Sequence, residues 1–299
     1  MDVMGGNAEL AEFLRTRRAR TDPGTVGLSP GPHHRRVPGL RREELARLAG
    51  VSADYYARLE QGRHITPSDG VLAALARALR LDDAESAHLF ALARRSPSPV
   101  RRRAPEQQRV RPGLQQMMAA LHDQPAFILG RRTDVLSANP LAKALITDFS
   151  AKPAIERNYT RFMVLDPAAK ALYPDWEVVA ADAVGTLRLD AGRYPDDPRT
   201  AELVGELAMK SEPFRTWWAD HRVVERSFGT KRFHHRIVGD LDIDYEAMTF
   251  PGDADQTLFV YTTRPGSASN EAMRLLASWS AAGSGPTATS ARVDPEKHR

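Results

Sequence analysis

Residues 45 to 63 have the sequence LARLAGVSADYYARLEQGR, in which a helix rich in small residues, a turn and a second helix follow one another. Gly50 can adopt the left-handed backbone conformation that a sharp turn needs, and Ser52 is a preferred residue type for capping the next helix. Ala46 and Ala49 are small enough for two helices to cross closely. The stretch therefore predicts a helix-turn-helix unit.

The second helix of this unit has one anchored face and one exposed face. Tyr56 and Leu59 are placed to pack into the core, so the first turn and Arg58 point outward. In helix-turn-helix proteins this outer surface enters the major groove of DNA. The pattern therefore favours double-stranded DNA as a partner.

The surrounding sequence predicts a five-helix domain without strands. Further helices are expected at Glu9 to Arg20, Arg41 to Ala49 and Asp83 to Arg94, and another is expected after a Thr66 cap with Pro67 at its first position. Residues 1 to 113 contain 20 arginines against 13 acidic residues, whereas the rest of the chain is mildly acidic. An arginine surplus confined to the helical half agrees with binding to nucleic acid.

The quoted stretch closely resembles the XRE, or λ-repressor-like, helix-turn-helix family, and the resemblance covers residues 8 to 95. It implies that Ala53, Asp54 and Arg58 face base edges and that Tyr55 faces a base or the backbone. The same resemblance implies a structural pair between Arg18 and Glu60. The predicted DNA-binding residues are Arg42 and Arg63, which would hold phosphates, together with Ser52, Ala53, Asp54, Tyr55 and Arg58.

One insertion departs from the family pattern. The family joins its first two helices tightly, but here Thr21 to Gly39 intervenes and contains the sequence His33-His34-Arg35-Arg36. The segment is either an arm that reaches the DNA backbone or minor groove, or a solvated loop. No third ligand lies near the two histidines, so we expect no metal there.

Composition divides the 299-residue chain into two domains. We predict a DNA-binding domain at residues 1–95, a proline- and arginine-rich linker at 96–112, a second domain at 113–281 and a disordered tail at 282–299. No cysteine is present, which suits a reducing cytoplasm. We find no signal peptide and no membrane-spanning stretch, and we expect a cytoplasmic protein without a cofactor.

The second domain is predicted to be α+β, so the whole chain is an α+β multidomain protein. Short strands are expected at Ala126 to Arg131 and Asp134 to Ser137, with a helix after Asn139. Three helical stretches follow, and then four strands beginning with Val223 to Phe228. Gly229-Thr230 and Gly239-Asp240 are read as tight hairpin turns. The pattern predicts helices packed on an antiparallel sheet, with a last helix at Ser269 to Ser280.

Several segments of this domain resemble the MmyB-like ligand-binding domain of bacterial regulators. They include Arg111-Pro112-Gly113-Leu114-Gln115, Leu172-Tyr173-Pro174-Asp175-Trp176 and Leu241-Asp242-Ile243-Asp244-Tyr245-Glu246. The resemblance runs from about Arg111 to Ala281. It implies a PAS-like fold and a sensor of a small, fatty-acid-like ligand.

Aromatic and polar side chains of the second domain are candidates for a ligand pocket. Helical spacing places four of them on one face, opposite aromatic residues of the strands, but such stripes more often form a plain core. Arginine and asparagine side chains could bind a carboxylate. The predicted ligand-binding residues are Asn139, Arg157, Asn158, Phe162, Phe214, Trp217, Trp218, His221, His235, Tyr245 and Tyr261.

These observations favour a one-component transcription regulator that acts as a homodimer and senses a small apolar ligand. An alternative is a constitutive DNA-binding protein whose second domain serves dimerisation or partner recruitment. An enzyme fused to a DNA-binding domain is a third hypothesis. No nucleophile elbow, zinc-protease motif, phosphate-binding loop or dinucleotide fingerprint is present, so we expect no enzymatic activity.

Overall fold

The computed structural model describes residues 5–28, 39–63, 65–94, 108–225 and 227–283. Within these ranges, no helix is both long enough and apolar enough to cross a membrane. In the described part of the chain, the first domain contains helices and no strand, and the second combines helices with one antiparallel sheet, as the sequence predicts.

Five α-helices form the first domain around a single core. Phe13 and Leu14 of the first helix, Leu45 of the second and Tyr56 of the third are fully buried there. The helices are α1 (Gly5–Arg20), α2 (Arg42–Leu48), α3 (Ala53–Glu60), α4 (Asp69–Ala78) and α5 (Asp83–Ala93).

The predicted cap of α4 at Thr66 is wrong. The helix begins two residues later than expected, because the Ser68 hydroxyl accepts a hydrogen bond from the backbone N–H of Val71 at 3.4 Å. Pro67 consequently precedes the helix and does not occupy its first position. Ser and Thr are both good capping residues, so the sequence alone could not show whether Thr66 or Ser68 caps α4.

The sheet of the second domain has the strand order β2-β1-β5-β4-β3, and all neighbouring strands are antiparallel. Its first two strands form a hairpin at one edge, and the last three form a meander. Strand β5, from the C-terminal part of the domain, lies between β1 and β4 and therefore pairs with the N-terminal part. The strands are β1 (Ala126–Leu129), β2 (Val135–Ala138), β3 (Phe228–His235), β4 (Gly239–Phe250) and β5 (Asp253–Thr262).

Helices cover both faces of this sheet. One face packs against an aromatic core that includes Phe127, Phe233 and Tyr261. The other face packs Ile128 and Leu258 against Leu114 of the first helix of the domain. The helices are α6 (Pro112–Ala120), α7 (Pro140–Leu145), α8 (Tyr159–Leu165), α9 (Pro167–Leu172), α10 (Trp176–Arg193), α11 (Pro198–Lys210), α12 (Glu212–Ala219) and α13 (Ala268–Gly283).

The predicted strand at Val223 to Phe228 and its turn at Gly229-Thr230 are wrong. Strand β3 runs without interruption from Phe228 to His235, and Gly229 pairs with Tyr245 of β4. A Cβ atom at Gly229 would lie 2.9 Å from the Tyr245 hydroxyl oxygen. The glycine therefore makes room for a neighbouring ring, which is a common role of glycine within a strand.

Part of the predicted linker belongs structurally to the second domain. The Gln108 side chain accepts a hydrogen bond from the backbone N–H of Arg131 at 2.7 Å, and Val110 is buried against the sheet. Residues 96–107 of the linker and most of the predicted tail lie outside the described residues. The pair His33-His34 in the predicted arm also lies outside them.

Candidate functional site

The turn between α2 and α3 has the geometry that the sequence predicts. Gly50 has a φ angle of 67°, which is the left-handed conformation. The Ser52 hydroxyl accepts a hydrogen bond from the backbone N–H of Tyr55 at 3.1 Å and caps α3. Tyr56 and Leu59 are buried, so the opposite face of α3 is turned toward solvent.

Five of the seven predicted DNA-binding residues lie at the start or on the exposed face of α3, and the other two, Arg42 and Arg63, are exposed on α2 and after α3. Ala53, Asp54 and Arg58 are exposed on α3, and Tyr55 is half-buried beside them. The Arg58 guanidinium pairs with the Asp54 carboxylate one helical turn earlier at 2.7 Å. Both partners are largely exposed, so this pair is weak and its arginine can exchange partners. The structure brings the predicted residues of α3 and its cap together on one surface, and the contacts of all seven residues with DNA stay a prediction.

A buried carboxylate ties α3 to α1 and α2. Glu60 accepts hydrogen bonds from Arg18, from Arg42 at 2.7 Å and from the Tyr56 hydroxyl at 2.7 Å. Burial by itself raises the pKa of Glu60, but these hydrogen bonds outweigh it and hold the pKa below its ordinary value. The pair of Arg18 with Glu60 is confirmed. Arg42 also belongs to this cluster, while more than half of its side chain remains exposed.

The aromatic candidates of the second domain separate into two groups. Tyr245, Tyr261 and Phe162 lie in the core beside the sheet. Phe214 and Trp218 pack instead against α10 and α11, with their rings stacked at a centroid distance of 5.5 Å. The expected placement opposite the aromatic residues of the strands is therefore wrong for Phe214 and Trp218. Trp217 alone among these residues contacts both groups within the described residues.

Two of the predicted polar residues are helix caps. The Asn139 side chain caps α7 by accepting from the N–H of Ala142 at 2.9 Å, and it also bonds the backbone of Leu121, Gln124 and Ala126. The Asn158 side chain caps α8. The structure gives both residues a structural role, and their contact with a ligand stays a prediction.

His235 is buried beneath α7. Its Nε2 donates to the carbonyl of Ala144 at 3.0 Å, and its Nδ1 accepts from the N–H of Ile237 at 3.3 Å. Burial lowers the pKa of His235. An uncharged imidazole whose two nitrogens both form hydrogen bonds is suited to this buried position. The predicted contact of His235 with a ligand stays a prediction.

Two clefts open on the surface of the second domain. A cavity of about 440 Å³ is bordered by Arg157, Asn158, Ile155 and Arg199. A second cavity, of about 640 Å³, has Tyr261 and Met273 of the aromatic core in its wall. Both are large enough for a small organic molecule. Among the described residues, no group of three or more histidine, aspartate or glutamate side chains is arranged to hold a metal ion.

Comparison with known families assigns both domains. A helix-turn-helix domain model matches residues 9–89. The model of the MmyB-like transcription regulator ligand binding domain matches residues 110–276, which is more than half of the chain. The chain belongs to the MmyB-like transcription regulators. No curated protein matches it. The regulator thus combines a DNA-binding domain with a ligand-sensing domain.

The residues predicted from the sequence of this regulator did not include a lysine that is buried in the sensing domain. Lys231 lies on β3 and is only 6% exposed. Its ammonium group donates to the hydroxyl oxygens of Tyr261 at 3.1 Å and Tyr159 at 3.2 Å. It also lies within 5.0 Å of the centroid of the Tyr245 ring. The strand alternation of Lys231, Phe233 and His235 could have shown that this lysine shares an inward face with an aromatic residue.

The second feature that the sequence did not reveal is the contact between the two domains. Arg17 of α1 donates to the carbonyl of His221 at 2.7 Å, and Arg20 pairs with Asp220. The His221 ring in turn lies 3.2 Å from a guanidinium nitrogen of Arg188 on α10. Burial and the neighbouring Arg188 and Arg17 lower the pKa of His221 to about 4. The predicted ligand residue His221 therefore lies, uncharged at neutral pH, at this contact.

Proposed function

We propose that this regulator binds operator DNA through the exposed face of α3 and responds to an apolar acid held in its second domain. The observation that carries the ligand part is the Lys231 ammonium group inside an aromatic core. We further propose that the regulator acts as a homodimer, because helix-turn-helix proteins commonly read two half-sites. The hairpin, intervening helices and three-stranded meander support a PAS-like fold.

The proposed DNA contacts follow from exposure and charge. Arg42 begins α2 and Arg63 follows α3, and both side chains are exposed, as arginines that hold phosphate groups need to be. Arg58 lies on the outer face of α3 and can reach a base edge in the major groove. The short residues Ala53 and Asp54 allow the first turn of α3 to approach the bases closely.

Substitution of the arginines separates these roles. We expect Arg63→Ala to weaken binding to every sequence and to lower the magnitude of the salt slope by about 1, because one phosphate contact is lost. Arg42→Ala should have the same effect. Arg58→Ala should relax the preference at one base pair. Fluorescence anisotropy at several salt concentrations, with duplexes selected from a random library by the wild-type protein, measures all three.

Arg77→Ala is a suitable control for these variants, because this exposed arginine lies on α4. It should leave the salt slope unchanged. Unchanged slopes in both Arg42→Ala and Arg63→Ala would contradict the proposed docking of the helix-turn-helix unit.

The proposed ligand class follows from the surroundings of Lys231. A carboxylate is a stronger partner for an ammonium group than a neutral hydroxyl, because both members of the hydrogen bond are then charged. The Lys231 ammonium group also lies over the rings of Tyr159, Tyr245 and Tyr261, at 5.4, 5.0 and 5.6 Å from their centroids. An acid with an apolar chain matches a buried cation that lies beside several aromatic rings. The cavity of about 640 Å³ shares Tyr261 with this cluster, and its wall also contains Arg264 and Arg274.

Thermal unfolding with two matched compounds tests the ligand class. Dodecanoate should raise the melting temperature of the full chain, whereas dodecanol, which has the same apolar chain without the charge, should not. A ligand at 100 times its dissociation constant stabilises the native state by about 2.7 kcal/mol. Lys231→Gln should abolish the difference between the two compounds, because the amide is neutral.

Lys143→Gln serves as the control, since Lys143 lies on α7 and bonds the Ser150 hydroxyl at 2.8 Å outside the core. Equal stabilisation by both compounds would reject Lys231 as the anchor of the acid. No stabilisation by either compound would reject a fatty-acid-like ligand.

A further inference from the structure

Helix α1 contacts the second domain with one set of side chains and the recognition helix with another. Arg17 and Arg20 bond the carbonyl of His221 and the carboxylate of Asp220. Arg18, between them in sequence, bonds Glu60 at the end of α3. Because the same helix holds both groups, a displacement of α1 at the domain contact also displaces the support of α3.

The domain contact is closely packed as well as charged. Arg17 is largely buried and also pairs with Glu85 of α5 at 2.6 Å. His88 of α5 lies against Gly192 of α10, where a Cβ atom would come within 2.4 Å of the imidazole Cε1. Packed surfaces of this kind resist small changes and shift between discrete arrangements.

On the sensor side, α12 connects the domain contact to the aromatic core. Trp217 of α12 packs against Trp176 in the core, with ring centroids 5.6 Å apart. Arg188 lies over the Trp218 ring at 4.0 Å and donates to the Trp218 carbonyl. At the end of α12, His221 has a left-handed φ of 51°, which is unusual for a residue other than glycine. The end of α12 is therefore held in one specific conformation where it meets α1.

We propose that α1 is the coupling element of this regulator, and that the docked contact of Arg17 and Arg20 with the end of α12 is the DNA-binding conformation. Docking leaves the side chains of Arg42 and Arg58 exposed. A ligand that shifts α12 through Trp217 changes this contact and thereby the support of α3. The inference rests on the proposed function, because it assumes that α3 binds DNA.

The variant Gly192→Ala tests the coupling without replacing a residue of α1, α3 or the aromatic core. Its methyl group collides with the His88 ring and should separate the domains. The His88 ring that it displaces packs on Phe13 of α1, at the domain contact. We expect the affinity for duplexes selected by the wild-type protein to fall by about 5- to 150-fold, the usual range for coupling between sites. The chain contains no native cysteine, so dyes attached at Arg77→Cys and Met209→Cys report the separation by energy transfer.

Gly205→Ala is the matched control, since the added methyl group on α11 has no described neighbour within 4 Å outside the backbone of its own helix. It should change neither energy transfer nor affinity. A second test uses charge: Asp220→Arg should separate the domains and weaken DNA binding, and Arg20→Asp in the same chain should restore both. This pair is partly exposed, so neither change prevents folding.

The possible results are distinct. Lower energy transfer together with weaker DNA binding, restored in the charge-swapped double variant, supports the coupling. Lower energy transfer with unchanged or tighter binding overturns it, as does unchanged energy transfer in both Gly192→Ala and Asp220→Arg. A wild-type protein that selects no duplex at all rejects the proposed function itself.

Discussion

The variant Glu60→Ala should lose about 3–5 kcal/mol of the free energy of unfolding of the first domain, as expected when one partner of a buried ion pair is removed. The Glu60 side chain is 1% exposed and accepts hydrogen bonds from Arg18, Arg42 and Tyr56. Its removal leaves the Arg18 charge and the Tyr56 hydroxyl inside the domain without this acceptor. DNA binding should fall with stability, because Glu60 holds the end of α3.

Hydrogen exchange of the α3 amides in the full chain measures this loss, since slow exchange reports the free energy of opening the first domain. Glu43→Ala is the control: Glu43 is exposed in the first turn of α2, and its removal should change exchange little. Equal exchange rates in Glu60→Ala and the wild type would show that the three donors find other partners.

The same cluster gives the first domain a specific pH dependence. Because the folded-state pKa of Glu60 lies below its ordinary value, the unfolded chain takes up a proton first as the pH falls. The stabilisation from Glu60 is thus fully present above the ordinary carboxyl range and is lost as the pH falls through the lower folded-state pKa. Glu60→Ala should flatten this part of the stability profile.

A second large effect is expected from Gly39→Ala, which should destabilise the first domain by about 3 kcal/mol, the upper end of typical overpacking costs. A Cβ atom at Gly39 would lie 2.2 Å from the carbonyl oxygen of Ala19 and 2.5 Å from that of Arg18. Both atoms belong to the backbone at the end of α1, so they cannot rotate away. The next residue, Leu40, is fully buried and donates its N–H to the Arg18 carbonyl at 3.0 Å.

Thermal unfolding followed by circular dichroism measures this effect, with Gly205→Ala as the control. The control should be stabilised by up to about 1 kcal/mol, because alanine favours a helix interior more than glycine does. If Gly39→Ala had the melting profile of the wild type, the backbone at Gly39 would not lie this close to the end of α1, and the expected clash would be wrong.

Local features account for the parts of the fold that the sequence predicted well. The helix-turn-helix unit depends on the turn at Gly50, the cap at Ser52 and the buried positions Tyr56 and Leu59. These residues are close together in sequence, so their spacing is visible without the tertiary structure. The exposed face of α3 follows directly from that pattern, so the candidate DNA-binding residues of α3 lie on one surface. The same reasoning failed at Gly229, because a glycine that signals a turn can also accommodate a neighbouring ring, here that of Tyr245.

In the second domain, local sequence patterns did not predict which residues contact one another. Phe214 and Trp218 lie on one helical stripe with Trp217, but a stripe does not identify the surface against which it packs. The core that they join is formed by α10 and α11, from other parts of the chain. Lys231 was missed for the same reason, since its partners Tyr159 and Tyr261 are far from it in sequence.

The sequence by itself determined the two-domain plan, the helix-turn-helix unit and its capped recognition helix, because each depends on residue types and spacings within a few helical turns. Only the tertiary structure decided that Lys231 lies among tyrosines and that α1 bridges the recognition helix and the sensor domain. These features depend on contacts such as Arg17 with His221, 204 residues apart. Packing of the whole chain, and not local pattern, brings such groups together.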